Sequence, residues 1–206
     1  DHERLLGRTL GKIASEKAGI IKPGVPVLSG VCQDEPRDII RETASKNQSP
    51  LFECNRDLHW SISEQERPHP DDEEGIANSL SRLAIETVSP WGQHCVRIPL
   101  RGRHQATNAL LALSACDLLA CEGFSFDAEA IDRGWDGLHL PLRLEILGRR
   151  PLVIVDAAHN DGSVDCLIDA LSSVRSGKRL LIFATAKDKD TAALVSRLND
   201  HCDDVI

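Results

Sequence analysis

The sequence predicts an α/β protein in two parts, residues 1–139 and 140–206. Three observations carry this. Beyond residue 140, short apolar runs alternate with helix-length segments, the pattern of βαβ units around a parallel sheet. One run, Leu152-Val153-Ile154-Val155, is a buried strand that ends on a polar turn and feeds a helix. Around Leu138 to Pro141 the pattern restarts, which places a domain boundary there.

In chain order, residues 5–19 read as a helix, with Leu6, Leu10, Ile13 and Ala14 on one face; Gly19 and Pro23-Gly24 end it. Val25 to Ser29 reads as a strand, Asp38 to Lys46 as a helix, and Leu51 to Glu53 and Leu58 to Ser63 as short strands. Residues 64–79, polar and acidic, read as a solvated loop. Ser81 to Val88 and His94 to Leu100 form two β segments around Ser89-Pro90-Trp91-Gly92. Thr107 to Cys121 is apolar nearly all round and predicts a buried helix. Asp127 to Trp135 is a further helix. The second part reads as strands at 142–147 and 152–155, a helix at 162–174, a strand at 179–184, a helix at 190–198 and a strand opening at Val205.

Composition narrows the function. With 206 residues and a formal net charge of -8, the chain lacks the basic balance of a general nucleic-acid binder. The seven cysteines include no CxxC pair and are odd in number, which suits a reducing, cytoplasmic compartment. No stretch is long and apolar enough to read as a membrane span. The chain contains no methionine and ends on the apolar run Val205-Ile206, so both ends read as cut.

Three segments carry possible chemistry. Lys17 follows Ile13 by four residues and Leu6 by eleven, on the apolar stripe of its helix. Burial there would favour the neutral, nucleophilic amine; the alternative is a lysine that reaches the surface or pairs with a carboxylate. Asp156-Ala157-Ala158-His159-Asn160 follows a buried strand at the sheet edge where open α/β folds bind ligands. Asp156 and Asn160 equally suit helix caps. Arg101-Gly102-Arg103-His104-Gln105 opens the buried helix, a position suited to an anion or to a plain polar helix start. His69 and His94 read as ordinary surface residues. No Walker A, GxSxG, HExxH or GxGxxG pattern is present.

Together these segments resemble the folylpolyglutamate synthase / dihydrofolate synthase family of the Mur ligase superfamily. The likeness is carried by Asp1-His2 with the run Leu6 to Gly24 around Glu16-Lys17-Ala18-Gly19-Ile20. Further matches are Gly102-x-His104-Gln105-x-x-Asn108-Ala109, Leu140-Pro141-Leu142-Arg143-Leu144-Glu145, Asp156-Ala157-Ala158-His159-Asn160 and Asp188-Lys189-Asp190. The resemblance implies the C-terminal portion of a central, P-loop-type ATP-binding domain followed by a partial Rossmann-like ligase domain. It implies ATP and Mg²⁺ as cofactors, and L-glutamate with folate or dihydropteroate as substrates. The amide would form through an acyl phosphate, in a monomer that needs neither nucleic acid nor membrane. It implies a carbamylated, catalytic Lys17 that ligates magnesium with His2, ATP contacts from Asn108, Arg143 and Asp156, and a role in activity for His159. Two positions depart from the family pattern, with Leu142 and Ala157 where glycines are expected. The phosphate loop and the remaining magnesium ligands would precede Asp1. The chain alone is therefore expected not to use ATP, to hold magnesium poorly and to leave Lys17 unmodified. Another Mur-type amino-acid ligase, or a truncated non-catalytic binding module, are the alternative readings.

Overall fold

The computed structural model describes residues 9–63, 82–172, 174, 177–186 and 189–206. The expected acidic loop at 64–79 lies outside them, as do His2, His69 and Asp188. The described elements mix helices and strands, with a run of four strands from Leu51 to Arg101 before the helix His104–Cys121, so the chain is α/β. They fall into two compact units, each described by itself. The first draws on Asp1–Ser61, Glu86–Cys95 and Thr107–Asp127, and the second on Ile62–Ile85, Val96–Ala106 and Ala128–Ile206.

The first unit opens with α1 (Leu10–Ala18), capped by Thr9, whose hydroxyl accepts from Lys12 N at 3.3 Å. β1 (Val27–Ser29), α2 (Asp34–Lys46) and β2 (Leu51–Glu53) form a β-α-β crossover in which Val27 pairs with Leu51 and Ser29 with Glu53, in parallel. The buried residues of α1 are Gly11, Ala14 and Ala18. A Cβ at Gly11 would sit 2.3 Å from Glu35 Oε1 and 3.3 Å from Ile39 Cδ1, so α1 meets α2 along its small residues. The expected apolar stripe is therefore displaced by one residue: Leu10 is exposed, and so is Lys17. Glycine and alanine give little hydrophobic signal, yet their small size lets two helices approach closely. The proposal that Lys17 is desolvated by its own helix face is thereby corrected.

β3 (His59–Ile62), β4 (Arg82–Val88) and β5 (Gln93–Arg101) form a three-stranded sheet in that order. In the first unit the β4–β5 turn is held to α3 (His104–Cys121): the Asp117 carboxylate lies 2.8 Å from His94 Nε2 and accepts from Ser89 Oγ at 3.2 Å. His94 is thus a structural ligand of the turn and not an ordinary surface residue. α3 is buried along Ala109, Leu110, Leu113 and Ser114, but its last turn, Leu119 to Cys121, is exposed, so only part of it matches the fully buried helix expected. Glu53 is 2% exposed and is held by Arg41 at 3.0 Å and by Arg56.

The second unit contains α4 (Ala128–Asp136), β6 (Glu145–Arg149), β7 (Leu152–Val155), α5 (Asp161–Ser172), β8 (Leu180–Leu181), α6 (Thr191–Asn199) and β9 (Asp204–Val205). β8 and β9 pair in parallel, as expected, but β6 and β7 pair antiparallel, with Glu145 opposite Val155 and Arg149 opposite Leu152. Only Arg150-Pro151 joins them, and so short a link cannot make a parallel crossover. Among the described residues no ladder joins β7 to β8. Leu144, Ala170 and Val174 form one buried cluster, and Val164, Leu194 and Leu198 form another.

Candidate anion-binding site

The second unit builds its site around the turn that precedes β6. Leu142 and Leu144 both have left-handed backbones, with φ of 58° and 48°. Such a conformation costs about 1–2 kcal/mol for a residue with a Cβ, so each must be held by its surroundings. Leu142 N donates to Glu145 Oε2 at 2.9 Å, and its carbonyl accepts from Ala157 N at 2.9 Å. Leu144 N donates to Asp156 Oδ2 at 2.8 Å, and the Leu144 side chain is 1% exposed. Arg143 lies between these two pinned residues and is itself exposed. The position where the family pattern has glycine thus keeps a glycine-like backbone while carrying leucine.

Asp156 serves both sides of this corner, because its Oδ1 accepts from Ala158 N at 2.8 Å. Asn160 takes the capping role: its Oδ1 accepts from Ser163 N at 2.9 Å at the start of α5. Of the two residues that suited either caps or a site, one is a cap and the other anchors the Arg143 turn. His159 Nδ1 lies 2.8 Å from the Ala157 carbonyl. A carbonyl only accepts, so a neutral ring carries its proton on Nδ1 and leaves Nε2 basic.

His104, at the start of α3, entered the sequence reading only as part of the Arg101–Gln105 helix start and the Gly102-x-His104-Gln105 motif, with no role of its own. Gln105 Nε2 lies 3.1 Å from His104 Nε2. Burial pulls the His104 pKa down, Asp156 opposes that shift, and Arg143 reinforces it, so the imidazole shares the electrostatics of the same corner. Gly102 has φ +90°, and a Cβ there would come within 2.7 Å of the His104 ring and 2.8 Å of Leu144 Cδ1. The glycine of this motif is therefore needed for both conformation and space.

Arg143 also lines a cleft of about 620 Å³, with Arg97, Arg101 and Arg149 as further cationic walls and Trp135 beside them. Asp136 and Glu145 are its acidic residues. Four guanidinium groups in one cleft of an acidic protein suit an anion, which each can hold through a fork of N–H donors. The sequence offered a sign of this in Arg97 and Arg101, four residues apart on one strand.

Of the residues proposed from the sequence, Arg143, Asp156 and His159 come together in this unit. Lys17 and Asn108 belong to the first unit, and both are exposed. Among the described residues no three His, Cys, Asp or Glu side chains gather as a metal site. None of the described helices is long and apolar enough to cross a membrane, and the seven cysteines are free thiols.

Residues 142–206 match the Mur ligase, glutamate ligase domain. The chain is 30% identical over 200 residues to the dihydrofolate synthase/folylpolyglutamate synthase of Bacillus subtilis, covering 96% of this chain and 44% of that protein. Against the folylpolyglutamate synthase of Lacticaseibacillus casei it is 30% identical over 207 residues, with the same two coverages. Among solved structures, a folylpolyglutamate synthase–AMPPCP–folate complex superposes with a TM-score of 0.81 at 28% identity, covering 99% of this chain and 47% of that one. The Mycobacterium tuberculosis folylpolyglutamate synthase complexed with ADP and AMPPCP gives 0.74 at 25% identity, over 97% of this chain and 43% of that one. The chain thus spans about half the length of the relatives it matches.

Proposed function

The chain belongs to the folylpolyglutamate synthase/dihydrofolate synthase family of Mur ligases, and from that premise we propose that the protein containing it joins L-glutamate to the carboxylate of a folate or dihydropteroate at the expense of ATP. The observation that carries this reading is the Arg143 turn: an arginine whose backbone is fixed between two pinned left-handed residues and which lines a cationic cleft.

ATP transfers its γ-phosphoryl group to the acceptor carboxylate, leaving ADP and an acyl phosphate; the glutamate amine then attacks the acyl carbon, the C–O bond to phosphate breaks, inorganic phosphate leaves and the nitrogen gives up a proton as the amide forms. Arg143 is suited to holding nucleotide phosphate, because its backbone is fixed before the ligand arrives. Asp156 acts first as a positioning residue for Arg143 and offers its remaining lone pairs to the nucleotide. Asn108, exposed four residues after His104 on α3, is proposed as a further nucleotide contact. His159, with Nε2 as the basic nitrogen, is proposed to orient or accept a proton from the incoming amine.

A carbamylated Lys17 that ligates magnesium together with His2 is likewise a proposal. Its exposed amine is accessible to CO₂, and a carbamate carbon resonance in the ¹³C NMR spectrum with ¹³C-bicarbonate at alkaline pH reads the modification. The domain boundary is proposed near residue 140, in keeping with the domain match that starts at 142. Free thiols suit a cytoplasmic setting, and a monomer is proposed.

The test is ATP-dependent release of phosphate by the protein containing this chain, with glutamate plus either dihydropteroate or tetrahydrofolate. Turnover that needs all three substrates is expected with at least one pterin, and absence of turnover with both would overturn the reading. Arg143→Gln is expected to lower kcat/KM for ATP by about ten-fold or more, the loss of one charge-assisted phosphate contact.

A further inference from the structure

Two of the free thiols, Cys32 and Cys54, share one edge of the first unit, and the ligase reading gives neither of them a role. β1 and β2 are parallel, so the chain leaves both strands at the same edge. Neighbouring strands lie about 4.8 Å apart, within the Cα separation of about 4.4–6.8 Å that a disulfide spans. Cys54 follows β2 directly, and its N donates to Ser29 O, at the end of β1, at 2.9 Å. Cys32 lies three residues beyond β1, but its thiol folds back to that edge. It donates to Gly30 O at 3.6 Å and accepts from Asn55 Nδ2 at 3.8 Å. The Cys32 sulfur thus touches the neighbours of both partners in the Ser29–Cys54 bond.

The two thiols differ in the way a redox pair requires. Cys32 is exposed, on the connection between β1 and α2. Cys54 is half-buried and fixed on both sides. Before it, Glu53 N donates to Asp57 Oδ2 at 2.9 Å; after it, Asn55 takes a left-handed φ of 66° and its N donates to Leu58 O at 2.8 Å. Burial first, and then the neighbouring Cys32, push the Cys54 thiol pKa up. Cys32 is therefore the thiol that meets an oxidant, while Cys54 stays protonated beside it.

We propose that Cys32 and Cys54 form a redox modification site, in which a hydroperoxide oxidises Cys32 and Cys54 resolves it as an intramolecular disulfide. The Cys32 thiolate attacks a peroxide oxygen, the O–O bond breaks, and the departing oxygen takes a proton and leaves as water or an alcohol. Cys32 becomes a sulfenic acid and the peroxide is reduced. The Cys54 sulfur then loses its proton and attacks the Cys32 sulfur; the S–O bond breaks and the hydroxyl leaves with a proton as water. A dithiol returns both residues to thiols by exchange and becomes a disulfide itself. The crosslink ties the β1–α2 connection to the end of β2 and keeps Cys32 from the irreversible sulfinic step. It does not rest on the ligase reading.

The experiment is peptide mapping of the protein containing this chain after mild hydrogen peroxide, with thiol alkylation before digestion. Arg37, Arg41 and Lys46 lie between the two cysteines, so trypsin places them in separate peptides. A disulfide-linked pair of these peptides is expected, with loss of alkylation at both residues and its recovery after dithiothreitol. In Cys54→Ser, dimedone is expected to label Cys32 as the sulfenic acid, a label lost in the wild type. Cys202→Ser, in the second unit, is expected to leave the linked peptides unchanged. Both thiols still alkylated after peroxide would overturn the proposal. So would sulfinic Cys32 beside a free Cys54 in the wild type, or either residue linked to a different cysteine. The wild-type map decides these outcomes whether or not Cys54→Ser folds, and a folded Cys54→Ser without the dimedone label would overturn the roles given to the two thiols.

Discussion

Residue 142 carries the sharpest local conflict between sequence and backbone. Leucine occupies a left-handed position, is 46% exposed, and so gains little from burial there. Glycine relieves the Cβ clash but adds freedom to the unfolded chain, and the first effect is the larger. Leu142→Gly is therefore expected to stabilise by about 0.5–1 kcal/mol, while the β-branched Leu142→Val destabilises by about 1 kcal/mol or more; urea midpoints read both. Asp156 gives the opposite case, a side chain whose removal leaves two backbone amides without their acceptor. Asp156→Ala is expected to cost about 2–4 kcal/mol and to speed amide exchange at Leu144 and Ala158. Unchanged exchange at both amides would show that the carboxylate does not hold the turn. At this scale the sequence indicated Arg143 and Asp156 through their motif. It could not indicate that one positions the other, because the link is a backbone amide contributed by Leu144.

Elements were legible where their signal is apolar and misread where small residues or short links decide. β2 and β7 fall where the alternation and apolar runs placed them. α1 packs on Gly11, Ala14 and Ala18, a face that hydrophobic periodicity passes over, and Lys17 consequently lies on its exposed side. The antiparallel β6–β7 pair was readable in principle from the link of only a few residues between the two expected strands, but the regular alternation that follows suggested parallel strands throughout. Two glycines, one between elements and one within a helix, give a paired test. Gly102→Ala meets both a left-handed φ and contacts under 3 Å, and is expected to destabilise by about 2 kcal/mol or more. Gly134→Ala, inside α4 with open space around it, is expected to stabilise by up to about 1 kcal/mol. Thermal midpoints of the two variants should move in opposite directions.

For the whole molecule, pH joins groups that lie far apart in sequence. The folded state holds the His104 pKa below its ordinary value, chiefly through burial. A base with a depressed folded pKa binds fewer protons folded than unfolded, so stability falls as pH drops below about 6.5 and continues to fall until the folded pKa is reached. Asp57, hydrogen-bonded to Arg56, and Glu145, bonded by Leu142 N, also have lowered pKa values. For these acids the stabilisation is present above their unfolded values, near pH 4, and is lost as pH falls through the folded ones. The thermal midpoint is therefore expected to be level from pH 8 to 7, to decline below about pH 6.5, and to decline again below about pH 4. His104→Asn should remove the first decline and leave the second. Persistence of the first decline in that variant would assign it elsewhere, and Asp57→Asn should then be examined for the second alone. His94 shares its carboxylate partner with the β4–β5 turn, so Asp117→Asn provides the control for a histidine whose role is structural.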